Sequence, residues 1–179
     1  MNLGFDLDGI FVDKPPFMPK WLIEKLYKAK DTTVLEYRIP GNFEQKIRKI
    51  SHISILRPAI KNNIVLLAEL AKNKNNNLFL VSSRFNFLRN ATEHIEEKYN
   101  FSTIFKKMVF NAKNEQPHIF KNRLIKELHI DRFVDDDLSL LFFLAKENPQ
   151  TKFYWLNNKE TKSLSQNLFA ITNLLSIIK

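Results

Sequence analysis

The chain has no cysteine among its 179 residues, which excludes disulfide bonds and thiolate chemistry and fits a reducing interior. No apolar run approaches the length needed to cross a bilayer. The N-terminus runs into Asp6 at once, so no signal peptide is expected. Linkers, repeats and low-complexity tails are missing too; residues 73–77 read as a polar surface turn. The expectation is a soluble cytoplasmic protein with no membrane partner. What is present, 44% hydrophobic and 26% charged residues, suits one domain, or one domain with a modest insertion. The net charge of +9 comes from lysines scattered along a chain also rich in Asn, Ile and Phe. It reads as a composition bias rather than a nucleic-acid footprint, although a basic surface would attract phosphate esters.

Five short apolar runs, at 3–5, 78–81, 104–110, 132–134 and 153–156, read as strands. Helix-period segments lie between most of them. Residues 59–73 carry Ile60, Ile64, Leu67, Ala68 and Ala71 on one stripe, and 88–99 form a more polar helix. Residues 119–128 and 138–147 follow, the latter ended by Asn148-Pro149, and 163–178 read as a closing amphipathic helix. The alternation implies right-handed crossovers and a sheet covered on both faces. The expected fold is α/β, a doubly wound Rossmann-like parallel sheet of about five strands. Between Gly9 and Arg57 the rhythm breaks. Residues 21–30 look helical, 33–39 alternate weakly, Pro40-Gly41 is a turn, and Asn42 and Gln45 have N-cap and N3 spacing before a helix to Ile50. Residues 11–57 thus form a small, mainly helical insertion after the first strand, and 1–10 with 58–179 form the core.

Ligands of such sheets bind beyond the carboxyl ends of the strands. The first run ends in Asp6-Leu7-Asp8-Gly9. Two aspartates at i and i+2 can lean toward one point, and their repulsion calls for a divalent cation, a phosphoryl centre or a protonated carboxyl; a capped turn is the plainer reading. The second run ends in Ser82-Ser83-Arg84, where a helix N-cap is the plainer reading. The fourth ends in Asp135-Asp136-Asp137, three carboxylates that are costly together unless hydrated or bound to a cation. With about 100° per residue, Lys121 falls within the stripe of Leu124, Ile125 and Leu128, while Lys126 faces solvent. A lysine on a packed face needs an anionic partner or an escape to water.

This set, in this order, resembles the haloacid dehalogenase (HAD) superfamily of phosphatases and phosphotransferases. Asp6-Leu-Asp8-Gly9 matches its Asp-x-Asp-Gly loop, and Leu80-Val81-Ser82 its Ser or Thr at the second strand end. Lys121 matches its lysine, and Phe133-Val134-Asp135-Asp136 its acidic pair. Ile10 stands where the family often has Thr. The resemblance implies that Asp6 attacks phosphorus and forms an aspartyl-phosphate. Asp8 would protonate the leaving alcohol and then activate water. Mg2+ would sit on the Asp6 carboxylate, the Asp8 backbone carbonyl and Asp136, with Asp135 supporting it through water. Ser82, with Ser83 beside it, and Lys121 would hold the phosphoryl group. Asp137 is left over as a helix cap or outer support.

The resemblance makes the insertion a cap that only partly roofs the cleft. Arg57-Pro58, the strand end at Ser82-Ser83-Arg84 and the double Asp are similar, more loosely, to the 5′(3′)-deoxyribonucleotidase-like subset. Arg84, Arg38 and Arg48 are candidate substrate anion contacts. Trp21, Tyr37 and Phe43 could stack on a ring, with packing inside the cap as the plainer reading. The expected partner is a phosphorylated small molecule such as a nucleotide, with nucleic acid entering only as a phosphorylated end. A phosphatase of phosphoprotein (phosphotyrosine-type) or nucleic-acid ends, and a catalytically silent binding module, stay open as alternatives.

Overall fold

The first apolar run becomes the middle of a sheet. The structure, a computed structural model, describes residues 1–13, 35–37, 39–53, 56–157, 159 and 161–177. Strands β1 (Asn2–Phe5), β2 (Asn77–Phe85), β3 (Lys107–Asn111), β4 (Arg132–Asp135), β5 (Lys152–Leu156), β6 (Lys162–Ser163) and β7 (Leu168–Ile171) form one sheet of order β3-β2-β1-β4-β5-β7-β6. All neighbours pair in parallel except β6 with β7. The helices among the described residues are α1 (Asn42–Ser51), α2 (Lys61–Lys72), α3 (Arg89–Lys98), α4 (Pro117–Glu127) and α5 (Leu138–Glu147).

Strand alternation sends side chains to two cores. Leu3, Phe5, Leu78 and Leu80 pack with Leu67 of α2 and Ile95 of α3. Here Phe5, Phe11, Phe101 and Phe105 interlock as tilted or edge-on rings with centroids 5.6–6.3 Å apart, arrangements that suit the ring quadrupole. On the other face, Phe79, Phe133 and Phe153 pack with Phe120 and Leu124 of α4 and Leu141 of α5. Gly4 makes this second core possible, because a Cβ there would lie 2.6 Å from the Phe133 ring.

The mixed α/β, mostly parallel architecture agrees with the sequence, but the sheet has seven strands rather than five. The closing helix expected over 163–178 is instead β7, the end of β6 and a 3-10 turn at Leu174–Ile177. Leu168–Ile171 pairs along β5 (Phe153 with Leu168, Leu156 with Ile171), so backbone groups of β5 that a helix would have left bare are paired. Asn167 fixes the approach, its Nδ2 donating to the carbonyls of Ala145, Asn148 and Thr151 at 3.0, 3.2 and 3.1 Å.

Within the insertion, the helix expected over 21–30 lies outside the described residues. Of 33–39, residues 35–37 and 39 are described, and they hold a single bridge position at Tyr37 rather than a strand. The N-cap of α1 is Gly41 instead of Asn42, so no side chain caps this helix end. Gln45 donates to the Pro40 carbonyl at 3.0 Å, so the reach-back exists without a capping box. No helix among the described residues is long and apolar enough to cross a membrane.

Candidate active site

Beyond β1 the chain turns sharply. The Asp8 amide donates to Asp6 Oδ2 at 3.1 Å, and the Gly9 amide to the Val12 carbonyl at 2.8 Å. Gly9 has φ +73°, and a Cβ there would lie 2.3 Å from Asp136 Oδ2, so both backbone and space demand glycine. Ile10 is fully buried and packs into the core rather than facing the site.

Lys121 projects from the packed face of α4 and is 2% exposed. Its Nζ donates to Asp6 Oδ1 at 2.8 Å and to Asp135 Oδ2 at 2.7 Å. Burial presses this lysine toward neutrality, but Asp135 and Asp6 together outweigh it and hold it above its usual range. Burial pushes Asp6 up to about 7, with the Asp135 and Asp8 charges adding and Lys121 opposing. Asp135 is raised as well, by burial first and then by Asp136.

Asp6, Asp135 and Asp136 each bring one carboxylate oxygen within 4.8 Å of the others. An all-oxygen donor set suits a hard cation such as Mg2+. A cation would also relieve the crowding that raises Asp6 and Asp135, so the residues fit a divalent ion. Trp155 Nε1 steadies this loop by donating to the Asp136 carbonyl at 3.1 Å. Asp137 is the N-cap of α5, accepting from the Ser139 and Leu140 amides. Its Oδ2 also accepts from the Tyr37 hydroxyl at 2.7 Å. Tyr37 is tied further to Gln116 by two backbone–side-chain bonds of 2.9 and 3.0 Å and stacks on His118.

The Asp8 carboxylate turns away from the metal cluster. Arg84 grips it with Nε on Oδ2 at 2.8 Å and Nη2 on Oδ1 at 2.7 Å, and Arg57 Nη2 reaches the same Oδ1 at 2.7 Å. Burial alone would raise Asp8, but the two guanidinium groups outweigh it and hold the carboxyl well below its usual range. Nearby, burial carries His52 down to about 3, with Arg57 and Arg84 assisting against Asp8.

The predicted site residues therefore separate. Asp6, Lys121, Asp135 and Asp136 converge. Ser82 and Ser83 are strand residues, not helix caps, because β2 runs on to Phe85. Alternation gives Ser83 the parity of Val81, on the layer of α4 and Lys121, and Ser82 that of Leu80. The pairing with β3 becomes irregular between Ser82 and Phe85. Arg48 is buried on α1 beside Glu44 at 3.5 Å, and Arg38 and Trp21 lie outside the described residues. Tyr37 is committed to Asp137, and Phe43 points outward at 77% exposure. Arg57 was missed as a site residue, since no local pattern marks its approach to Asp8.

The chain matches no protein-family model, and no curated protein matches it. Solved structures do resemble it. A putative beta-phosphoglucomutase from Thermotoga maritima superimposes with TM-score 0.64 at 16% identity, over 99% of this chain and 97% of that one. The fold is that of HAD-superfamily hydrolases. A HAD-superfamily hydrolase from Ehrlichia chaffeensis gives TM-score 0.54 at 15% identity, over 98% and 93%. A chain of the Pnkp1/Rnl/Hen1 RNA repair complex gives 0.52 at 16%, over 87% of this chain but only 42% of that longer one.

Proposed function

We propose that this HAD-fold chain is a phosphomonoester hydrolase acting on a small phosphorylated metabolite, with nucleotides within that class. The reading is carried by Lys121, a fully buried lysine bonded to both Asp6 and Asp135, with Asp136 completing an oxygen cluster. Such a charge array costs stability unless it serves a ligand. In this reading Asp6, Asp135, Asp136 and the Asp8 carbonyl hold Mg2+, which when bound supplies charge neutralisation for the incoming phosphoryl group.

A carboxylate oxygen of Asp6 attacks phosphorus. The ester P–O bond breaks with its electron pair passing to the leaving oxygen, which takes up a proton. Water then attacks the aspartyl-phosphate, freeing phosphate and restoring Asp6. Lys121 stabilises charge on the transferring group, and Ser82 or Ser83 donates to a phosphoryl oxygen. Asp8 handles the proton in both steps. Both its oxygens accept from guanidinium donors, which favour its charged form and so work against protonating it. Residues 11–57 act as the cap over a core of 1–10 and 58–179.

A screen of phosphate esters with Mg2+ tests this, with Asp6→Asn as control. Turnover of small esters that vanishes in the variant is expected. Equal turnover by the variant, or none of any ester including activated aryl phosphates, would overturn the reading.

A further inference from the structure

Tyr37, from the stretch between β1 and α1, is buried at 8% exposure and touches the N-terminal ends of two helices at once. Gln116, the N-cap of α4, grips its backbone, accepting from the Tyr37 amide at 2.9 Å and donating to its carbonyl at 3.0 Å. The ring stacks on His118 with centroids 6.3 Å apart, and His118 in turn meets Phe143 of α5 edge-on at 5.0 Å. At its far end the hydroxyl donates to Oδ2 of Asp137, the N-cap of α5, at 2.7 Å.

Those two helix ends carry the charged cluster. Lys121 follows Gln116 on α4, and Asp135 and Asp136 immediately precede Asp137. The bonds of Lys121 to Asp135 and Asp6, at 2.7 and 2.8 Å, therefore depend on the spacing between α4 and the loop before α5. Asp137 is also better equipped than a cap needs. An N-cap requires one acceptor oxygen, and Oδ1 alone takes the Ser139 and Leu140 amides at 3.0 and 3.3 Å. A serine would serve there. Oδ2 is left for Tyr37, and that bond accounts for the carboxylate. The Asp137 amide donates to Asp135 Oδ1 at 3.0 Å, which links the Tyr37 contact to a carboxylate of the cluster. Burial first, and then the Asp137 charge, raises the Tyr37 phenol well above its usual range, so the hydroxyl stays a donor.

We propose that Tyr37 is a positioning residue for the acidic loop: its hydroxyl fixes Asp137 relative to α4 and thereby holds Asp135 and Asp136 at the spacing from Lys121 and Asp6 that a divalent cation needs. The proposal rests on the metal site of the phosphatase reading. It deepens that reading by giving a residue outside the four motifs a share in cation affinity. Tyr37 does this without touching cation or ester. Removing a hydrogen-bonded partner behind a metal ligand costs about 10–100-fold in affinity. Tyr37 acts one residue further out, so the lower end of that range applies. Cation binding and the Tyr37 contact are then linked, and each strengthens the other.

Calorimetric titration of the full chain with Mg2+ tests this. Tyr37→Phe keeps the ring and the Gln116 bonds and removes only the hydroxyl; its Mg2+ affinity should fall about tenfold. Asp137→Ser keeps an N-cap oxygen but is too short for Tyr37. It should lose at least as much, since a negative charge goes with the bond, and adding Tyr37→Phe to it should cost nothing more. Asn167→Ala, which loosens β7 at the other end of α5, controls for general loosening and should bind Mg2+ as the wild type does. Wild-type affinity in Tyr37→Phe, losses that add in the double variant, or an equal loss in Asn167→Ala would each overturn the proposal. If Tyr37→Phe does not fold by circular dichroism, Asp137→Asn is set against Asp137→Ser. Both are neutral N-caps, only Asn spans to Tyr37, and it should bind Mg2+ more tightly; equal affinity overturns the proposal. A wild-type protein that binds no Mg2+ sinks the metal reading and this proposal together, whereas wild-type binding that Tyr37→Phe leaves intact sinks the proposal alone.

Discussion

Arg84 meets Asp8 edge to edge, Nε on one carboxylate oxygen and Nη2 on the other, at 2.8 and 2.7 Å. Its Nη1 donates to Thr92 Oγ1 at 3.2 Å, so one guanidinium joins the Asp6–Gly9 turn to α3. Lysine cannot reproduce that geometry. Arg84→Lys should therefore lower unfolding free energy by about 2 kcal/mol, the scale of a hydrogen bond to a charged group. Urea denaturation measures it, and an unchanged midpoint would show the grip to be idle.

Lys121 is the harder residue to replace. Lys121→Met leaves Asp6 and Asp135 facing each other without their shared cation, at a cost of about 3–5 kcal/mol in metal-free protein. Because burial raises both carboxyls above their ordinary range, the loss should shrink as pH falls from 8 to 5. Paired urea titrations at the two pH values would settle it; a loss that does not change with pH would contradict the shared-cation account.

The raised pKa of Asp6 sets a stability profile. In the folded chain it binds a proton up to about 7, whereas the unfolded chain releases it near 3.8. Between those values the folded state holds more protons, so stability declines as pH rises from about 4 to 7 on this account. Asp8 acts with the opposite sign and lower down, its contribution being lost as pH falls below the unfolded value. Mg2+ should raise the melting temperature more at pH 8 than at pH 5, and Asp6→Asn should flatten the metal-free slope. A Mg2+ response equal at both pH values would argue against Asp6 as a ligand.

Gly9→Ala puts a methyl group onto the Asp136 carboxylate and forces a left-handed backbone on alanine. The expected result is a loss of Mg2+ affinity of about tenfold or more, with a stability cost of about 1–2 kcal/mol. Metal titration followed by calorimetry reads the first directly, and wild-type affinity would refute the packing argument.

How much of this could be read from residues alone depended on distance along the chain. β1 and its Asp6–Gly9 turn were legible because an apolar run and its breaker are adjacent. Lys121 was legible because helical phase is a local rule, and Asp137 because N-cap chemistry is. Arg57 was not: nothing local says that it and Arg84 converge on Asp8. The choice between Ser82 and Ser83 depends on strand parity and on an irregular register with β3. The segment 163–178 failed for a different reason. A short apolar run such as Leu168–Ile171 satisfies helix and strand patterns alike, and the bare edge of β5 decided between them.

That edge carries a consequence for how the last strand is held. Asn167 draws together carbonyls from the last turn of α5, the loop after it and the residue before β5. Those acceptors are gathered only once α5 has folded back onto β5. The seat of β7 is thus set by the packing of α5 on β5 as well as by the strand edge, so a substitution that shifts α5 should loosen β7 too.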